Sequence, residues 1–303
     1  EFRRVLFRSM PLSDDLIVYP NHGAGSACGK NMSKETTDTL GHQKMVNYAL
    51  RADMSREEFI AELLDGLNAP PAYFPKNVMM NINGPGSIDT IMERGFKSLT
   101  PDEFEAVANE TEALMLDTRD AETFRQGFIP NSINIGIDGN FAPWVGALIP
   151  DIKQEILLIC DEGREQEVIT RMARVGYDFA IGFLQGGFKA WKAAGKEVDT
   201  VNRITAADLE ASHQSNDIII DVRNKGEYNA EHLENAINIP LDYINDHLAE
   251  FPKDKPFTIH CAGGYRSMIA ASILKSRGWE HLSDVEGGFQ AIAKTTVPRT
   301  KYV

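Results

Sequence analysis

Two stretches decide the fold: LMLDTRDAETFRQGFIPNSINIGI, Leu114 to Ile137, and IIIDVRNKGEYNAEHLENAINIPL, Ile218 to Leu241. They superpose at one constant offset, Asp117 on Asp221 and Asn134 on Asn238. Further on, LQGGFKAW (Leu184 to Trp191) matches VEGGFQAI (Val285 to Ile292), with Gly187 opposite Gly288. A unit that repeats along a chain marks its own boundaries before any motif is interpreted. Each copy opens on a helix-start signal, Thr100-Pro101-Asp102-Glu103 and Thr205-Ala206-Ala207-Asp208, in which a Thr cap precedes a carboxylate by three residues. A short apolar run ending in Asp-x-Arg follows, too short for a buried helix and typical of a central parallel strand. Ile156 to Cys160 and Phe257 to Cys261 are further buried strands, each leading into an amphipathic helix. Strands alternating with helices predict an α/β domain with a parallel sheet, made twice.

The bulk properties narrow the function. The chain has 303 residues, 43% of them apolar, and a net charge of −13. That allows two or three domains with cores of their own. The acidic balance, without a basic run in the folded part, argues against nucleic acid and anionic membrane surfaces as partners. No apolar stretch approaches the roughly 20 residues a membrane span requires. Three cysteines, Cys28, Cys160 and Cys261, lie too far apart in sequence to suggest a disulfide framework or a zinc cluster, so a reducing, cytoplasmic setting is expected.

HCAGGYRS, His260 to Ser267, holds the chemistry. It sits between a buried strand and the helix MIAASILKSRG. A cysteine at such a junction faces free backbone N–H groups and the positive end of a helix dipole, and both favour the nucleophilic thiolate. Gly263 and Gly264 let successive amides turn inward as an anion nest. Arg266 adds a fork suited to a sulfonate, phosphate or carboxylate.

With IIDVR, EHLENAINIP and EGGFQAI, this loop resembles a single-domain rhodanese from end to end. The resemblance implies that Cys261 carries a sulfane sulfur as a persulfide. The amides of Ala262, Gly263, Gly264, Tyr265, Arg266 and Ser267 would hold it, Arg266 would hold a donor or acceptor anion, and Asp221 and Arg223 would be buried supports of the loop. Phosphatases of the same fold use one more residue between Cys and Arg, because phosphate needs a wider cradle. The spacing Cys-x-x-x-x-Arg therefore favours sulfur transfer.

The first copy reads ICDEGREQEVI, with Asp161 and Glu162 where small neutral residues should cradle an anion and Glu165 where Arg266 stands. Carboxylates beside a thiol raise its pKa and repel anionic donors. This copy is expected to be silent at Cys160 and to survive as a docking or orienting domain.

The segment from Met10 to Lys97 matches neither copy. It contains a strand-like Leu16 to Pro20, a small-residue loop from His22 to Gly29, a helix from Ser55 to Leu67 opened by a Ser55–Glu58 capping box, and a loop at Asn83-Gly84-Pro85-Gly86. YPNHGAGSACGK, EEFIAELLDGL, PPAYF and NVMMNING resemble the closing part of metallo-β-lactamase-fold persulfide dioxygenases that carry C-terminal rhodanese domains. The resemblance implies an αββα remnant, with His22 and Cys28 near the substrate entry, and iron in a complete parent protein. The His-x-His-x-Asp-His ligand loop of that family is absent, so no metal is expected in this fragment. EFRRVLFRS, Glu1 to Ser9, resembles the translation of a sequencing adapter, and Met10 is expected to be internal to a longer chain. Met79 and Met80 read as core, and His260 is expected on the strand face away from the thiol.

The expected organisation is residues 1–9 non-native, 10–97 a dioxygenase-like remnant, 98–200 an inactive rhodanese-like domain and 201–303 an active one. The expected activity is transfer of sulfur from thiosulfate, glutathione persulfide or another thiol persulfide, through Cys261, to a thiol. Self-association is left open. The alternatives are a non-catalytic scaffold built on the rhodanese folds, and an arsenate reductase or phosphatase on the same fold.

Overall fold

The structure, a computed structural model, describes residues 2–20, 36–51, 53–64, 73–214 and 216–301. The chain divides into two compact units, Glu1–Pro70 and Pro71–Val303. The leading unit has α1 (Phe2–Arg4) running into a helical turn at Val5–Ser9, an antiparallel pair of β1 (Ile17–Val18) with β2 (Asp38–Thr39), then α2 (Leu40–Val46) and α3 (Arg56–Leu64). The expected capping box opens α3: Glu58 N–H donates to Ser55 Oγ at 3.2 Å and Ser55 N–H to Glu58 Oε2 at 2.8 Å. His22 and Cys28 lie outside the described residues.

The larger unit begins with α4 (Phe74–Asn83) and α5 (Ile88–Gly95), ahead of the boundary at residue 97 that the sequence suggests. Both helices pack on the first copy. Tyr73, the residue before α4, is buried against Gly146, and Lys76 Nζ donates to the Pro150 carbonyl at 2.7 Å. Ile91 of α5 joins the main core. Met79, read as core, is instead 53% exposed. Helical spacing turns it away from the first copy, while the Met80 sulfur lies against Gly176.

The first copy runs β3 (Ser98–Leu99), α6 (Pro101–Glu110), β4 (Leu114–Asp117), α7 (Ala121–Gln126), β5 (Ile133–Asn134), α8 (Phe141–Leu148), β6 (Ile156–Ile159), α9 (Glu165–Ala173), β7 (Ala180–Leu184) and α10 (Gly187–Ala193). The second runs β8 (Asn202–Ile204), α11 (Ala206–Ser212), β9 (Ile219–Asp221), α12 (Lys225–Ala230), β10 (Glu231–Leu233), β11 (Ile237–Asn238), β12 (Phe257–His260), α13 (Tyr265–Lys275), β13 (Leu282–Val285), α14 (Gly288–Ile292) and β14 (Arg299–Lys301). Each builds a five-stranded, wholly parallel sheet, ordered β3-β7-β6-β4-β5 and β8-β13-β12-β9-β11, the same topology twice. The capping boxes at Thr100 and Thr205 are both formed.

Burial explains the apolar runs. Ile156–Ile159 is fully buried, with Ile156 and Leu158 facing one core and Leu157 and Ile159 another beside Phe104 and Trp191. A central strand covered on both faces needs no polar alternation. The first of these cores is continuous through both copies, from Leu116 and Phe141 to Ile220 and Met268.

Candidate active site

The site starts at the end of β12, where the chain leaves the sheet between its neighbours β9 and β13. Cys261 is 1% exposed. Gly264, at φ +105°, turns the chain into α13 and donates its N–H to Cys261 Sγ at 3.1 Å. A side chain at Gly264 would be strained in that conformation. One amide of the expected anion nest therefore already rests on the sulfur at the head of a helix, where unpaired N–H groups favour negative charge. The Ser267 hydroxyl, buried, donates to the Gly264 carbonyl at 3.3 Å and holds the turn.

Arg266 does not wait free for an anion. It is paired to Glu227 of α12, Nη1 to Oε2 at 2.6 Å and Nη2 to Oε1 at 2.8 Å. The Arg266 guanidinium holds the Glu227 carboxyl below the usual carboxylate range. Glu227 is fixed in turn by a capping box with Asn224, whose Oδ1 accepts from the Glu227 N–H at 2.8 Å.

Asp221 and Arg223 form a buried two-pronged pair, Arg223 Nη2 lying 2.6 Å from Asp221 Oδ2. The guanidinium stacks on the Phe289 ring at 3.9 Å. Asn238 Nδ2 donates to the carbonyls of Asp221 and Arg223, both at 2.9 Å. The first copy repeats each contact: Asp117 with Arg119, Arg119 over Phe188 at 4.2 Å, and Asn134 on the carbonyls of residues 117 and 119. This apparatus is the same in both copies. It therefore supports the sheet end and does not distinguish the two loops.

The difference lies in the loops themselves. In the first copy the matching amide, Gly163 N–H, donates to Glu165 Oε1 at 3.1 Å, so the loop's own carboxylate occupies it. Burial first, then the charges of Glu165, Asp117 and Asp161, push the Cys160 thiol up to about 12. The sequence pointed to Asp161 and Glu162; burial, which a linear reading does not register, is the larger cause.

His260 is wholly buried, with Nδ1 3.3 Å from the Cys261 carbonyl and 3.9 Å from Asp221 Oδ1. Burial lowers its pKa, against the opposing charge of Asp221. Two further features were not legible as part of the site. The Gly287-Gly288 turn lies directly on the Cys261 loop: a Cβ at Gly288 would stand 2.5 Å from the Cys261 carbonyl oxygen, and Phe289 N–H donates to that oxygen at 2.7 Å. The Tyr265 side chain leaves the loop altogether and enters the first copy. Among the described residues no three or more His, Cys, Asp or Glu gather as metal ligands. No helix among them is long and apolar enough to cross a membrane.

A duplicated parallel α/β fold with a cysteine in a helix-capping amide loop is the architecture of the rhodanese-like domain family, whose model matches residues 100–194 and 205–295. The chain belongs to that family. It is 34% identical over 83 residues to the tRNA uridine(34) hydroxylase of Erwinia tasmaniensis, covering 25% of this chain and 24% of that protein. A match to the enzyme of the same name from Escherichia fergusonii is 34% identical over 100 residues and covers 29% of it. The chain thus spans 24% and 29% of the length of these two curated relatives. Among solved structures, a metallo-β-lactamase from Staphylococcus aureus is 29% identical, with a TM-score of 0.43, covering 60% of this chain and 49% of that one. A thiosulfate sulfurtransferase from Pseudomonas aeruginosa is 19% identical, with a TM-score of 0.32, over 68% of this chain and 44% of that one.

Proposed function

We propose that the chain is a sulfurtransferase whose second copy carries sulfur on Cys261. The observation that carries the reading is the Gly264 N–H resting on Cys261 Sγ at 3.1 Å, at the head of a helix. The Cys261 thiolate attacks the outer sulfur of thiosulfate or of a thiol persulfide. The S–S bond breaks, sulfite or a thiolate leaves with the electron pair, and Cys261 holds a persulfide. An acceptor thiolate then attacks the outer sulfur and Cys261 departs as thiolate. Amides aimed at the terminal sulfur stabilise its charge without rearranging.

The first copy is read as silent, its loop amide turned onto Glu165 and its thiol protonated at neutral pH. The sulfur donors and acceptors are small molecules, thiosulfate and glutathione or other thiol persulfides, in a cytoplasmic setting and without a cofactor bound by these residues. The leading segment is read as the end of a persulfide dioxygenase, with iron in a complete parent. Finding the upstream coding sequence, with or without the missing histidines, tests that part.

Incubation with a sulfane donor, followed by peptide mass analysis, should add one sulfur atom to the peptide bearing Cys261. Cyanolysis should disappear in Cys261→Ser. Turnover that persists in that variant would remove the mechanism, and no turnover in the wild type would favour a binding scaffold. Hydrolysis of an aryl phosphate or reduction of arsenate, with thiosulfate ignored, would move the chain to the phosphatase side of the fold.

A further inference from the structure

The helix that heads the reactive loop is unusual in its surroundings. α13 is buried without interruption from Ser267 to Leu274. A helix lying on one sheet keeps a polar stripe toward water, so a helix buried all round must be covered from a second side. The first copy supplies that cover. Midway along α13, the Asn134 N–H donates to Ser272 Oγ at 2.8 Å.

At the reactive end the contact is made by Tyr265, next in sequence to the glycine whose amide faces the thiol. Its hydroxyl donates to the Gly136 carbonyl at 2.8 Å. Its ring fills a slot where the first copy has no side chain: a Cβ at Gly139 would stand 2.3 Å from Cζ, 2.5 Å from Cε2 and 2.7 Å from Oη. Arg171 braces the same loop from α9, donating to the Ile137 carbonyl at 2.6 Å. The residue matching Tyr265 in the first copy is Arg164, which turns to Asp138 and Glu167. Only one of the two loops therefore reaches into its neighbour.

We propose that Tyr265 is a positioning residue, and that the silent copy acts on the chemistry by seating its ring between Gly136 and Gly139, so fixing the first turn of α13 and the amides that face Cys261. This rests on the reading of Cys261 as the sulfur carrier. The physical basis is tolerance: charge-stabilising amides serve only if held to within about half an ångström, and a side chain locked by packing in a second domain provides that restraint.

The test uses the full chain with four changes: Gly139→Ala, Tyr265→Phe, Tyr265→Ala, and Gly139→Ala combined with Tyr265→Ala. Four quantities are read: the rate of alkylation at the Cys261 peptide, kcat for sulfur loading from thiosulfate, the corresponding KM, and the thermal midpoint. Gly139→Ala, a single methyl in the other copy, should lower Cys261 alkylation and kcat about tenfold or more, with KM little changed, as expected for misplacement of about an ångström. Tyr265→Phe keeps the ring and should retain most of the rate, which separates positioning from a general loss of stability. In the Tyr265→Ala background the added methyl should have no further effect, because the ring it displaces is gone. Wild-type rates in Gly139→Ala, or an undiminished effect of the methyl without the ring, would overturn the proposal. Alkylation needs no sulfur donor, so it still reads the positioning if the wild type loads no sulfur, an outcome that would count against the sulfur-carrier reading alone.

Discussion

Arg266 and Glu227 are joined by two hydrogen bonds, 2.6 and 2.8 Å long, so the guanidinium of the Cys261 loop is already paired to a carboxylate of α12. A donor anion must compete with that carboxylate for the guanidinium. Glu227→Gln removes the charge and keeps the shape. It should lower KM for thiosulfate about tenfold or more, by roughly 1.5–3 kcal/mol, the scale of a hydrogen bond to a charged group. An uncharged sulfur donor should be indifferent to the change, so steady-state kinetics with both kinds of donor check the assignment.

Asp221 and Arg223 are expected to matter to stability far more than to chemistry. Removing one partner of a buried ion pair leaves the other uncompensated, at a cost of roughly 3–5 kcal/mol. Asp221→Ala should lower the unfolding free energy by that amount, and Asp117→Ala by a similar one, because both pairs have the same geometry. Denaturant titration checks both. A variant at 221 that stays as stable as wild type but loses activity would assign the residue to the reaction instead.

The two buried thiols should behave differently. With Cys160 pushed up to about 12, roughly one molecule in ten thousand is ionised at pH 8. Iodoacetamide should therefore label Cys261 and spare Cys160 until the chain unfolds, as peptide mapping can show. Cys160→Ser should leave sulfur transfer unchanged.

Asp284, wholly buried on β13 beside Arg203, predicts an unusual pH dependence. Burial outweighs the Ser267 hydroxyl and the Arg203 guanidinium and raises its carboxyl from the usual 3.8 to about 6. Between about pH 4 and 6 the folded state keeps a proton that the unfolded chain has released, so stability from this group is present below the window and lost as pH rises through it. The loss is at most about 3 kcal/mol, since each tenfold difference in proton affinity between the folded and unfolded chain is worth about 1.4 kcal/mol. Urea unfolding of wild type and Asp284→Asn should give stabilities that diverge with pH across that window and run parallel above pH 7.

Gly288→Ala should be disproportionately harmful. The residue has φ +54°, and a methyl there would stand 2.5 Å from the Cys261 carbonyl oxygen. Strain of that kind costs of order 1–3 kcal/mol. It falls on the Cys261 loop, so thermal melts and alkylation of Cys261 should both register it, whereas Gly195→Ala, with nothing near its Cβ, should affect neither beyond its own backbone strain.

Much of the molecule follows from local chemistry and was readable in one dimension. The duplication, the parallel strands, the Thr100 and Thr205 caps and the Cys261 loop rest on periodicity, capping and turn residues, which act over a few positions. The amino-acid order alone also separated the two loops, because Glu165 stands where Arg266 does. Tertiary structure decided the rest: that Glu227 clamps Arg266, that Gly288 presses on the Cys261 carbonyl, that burial more than neighbouring charge keeps Cys160 protonated, and that Tyr265 is seated against Gly139. Each joins residues far apart in the chain, and their meeting depends on how sheets and helices stack, which no local pattern encodes.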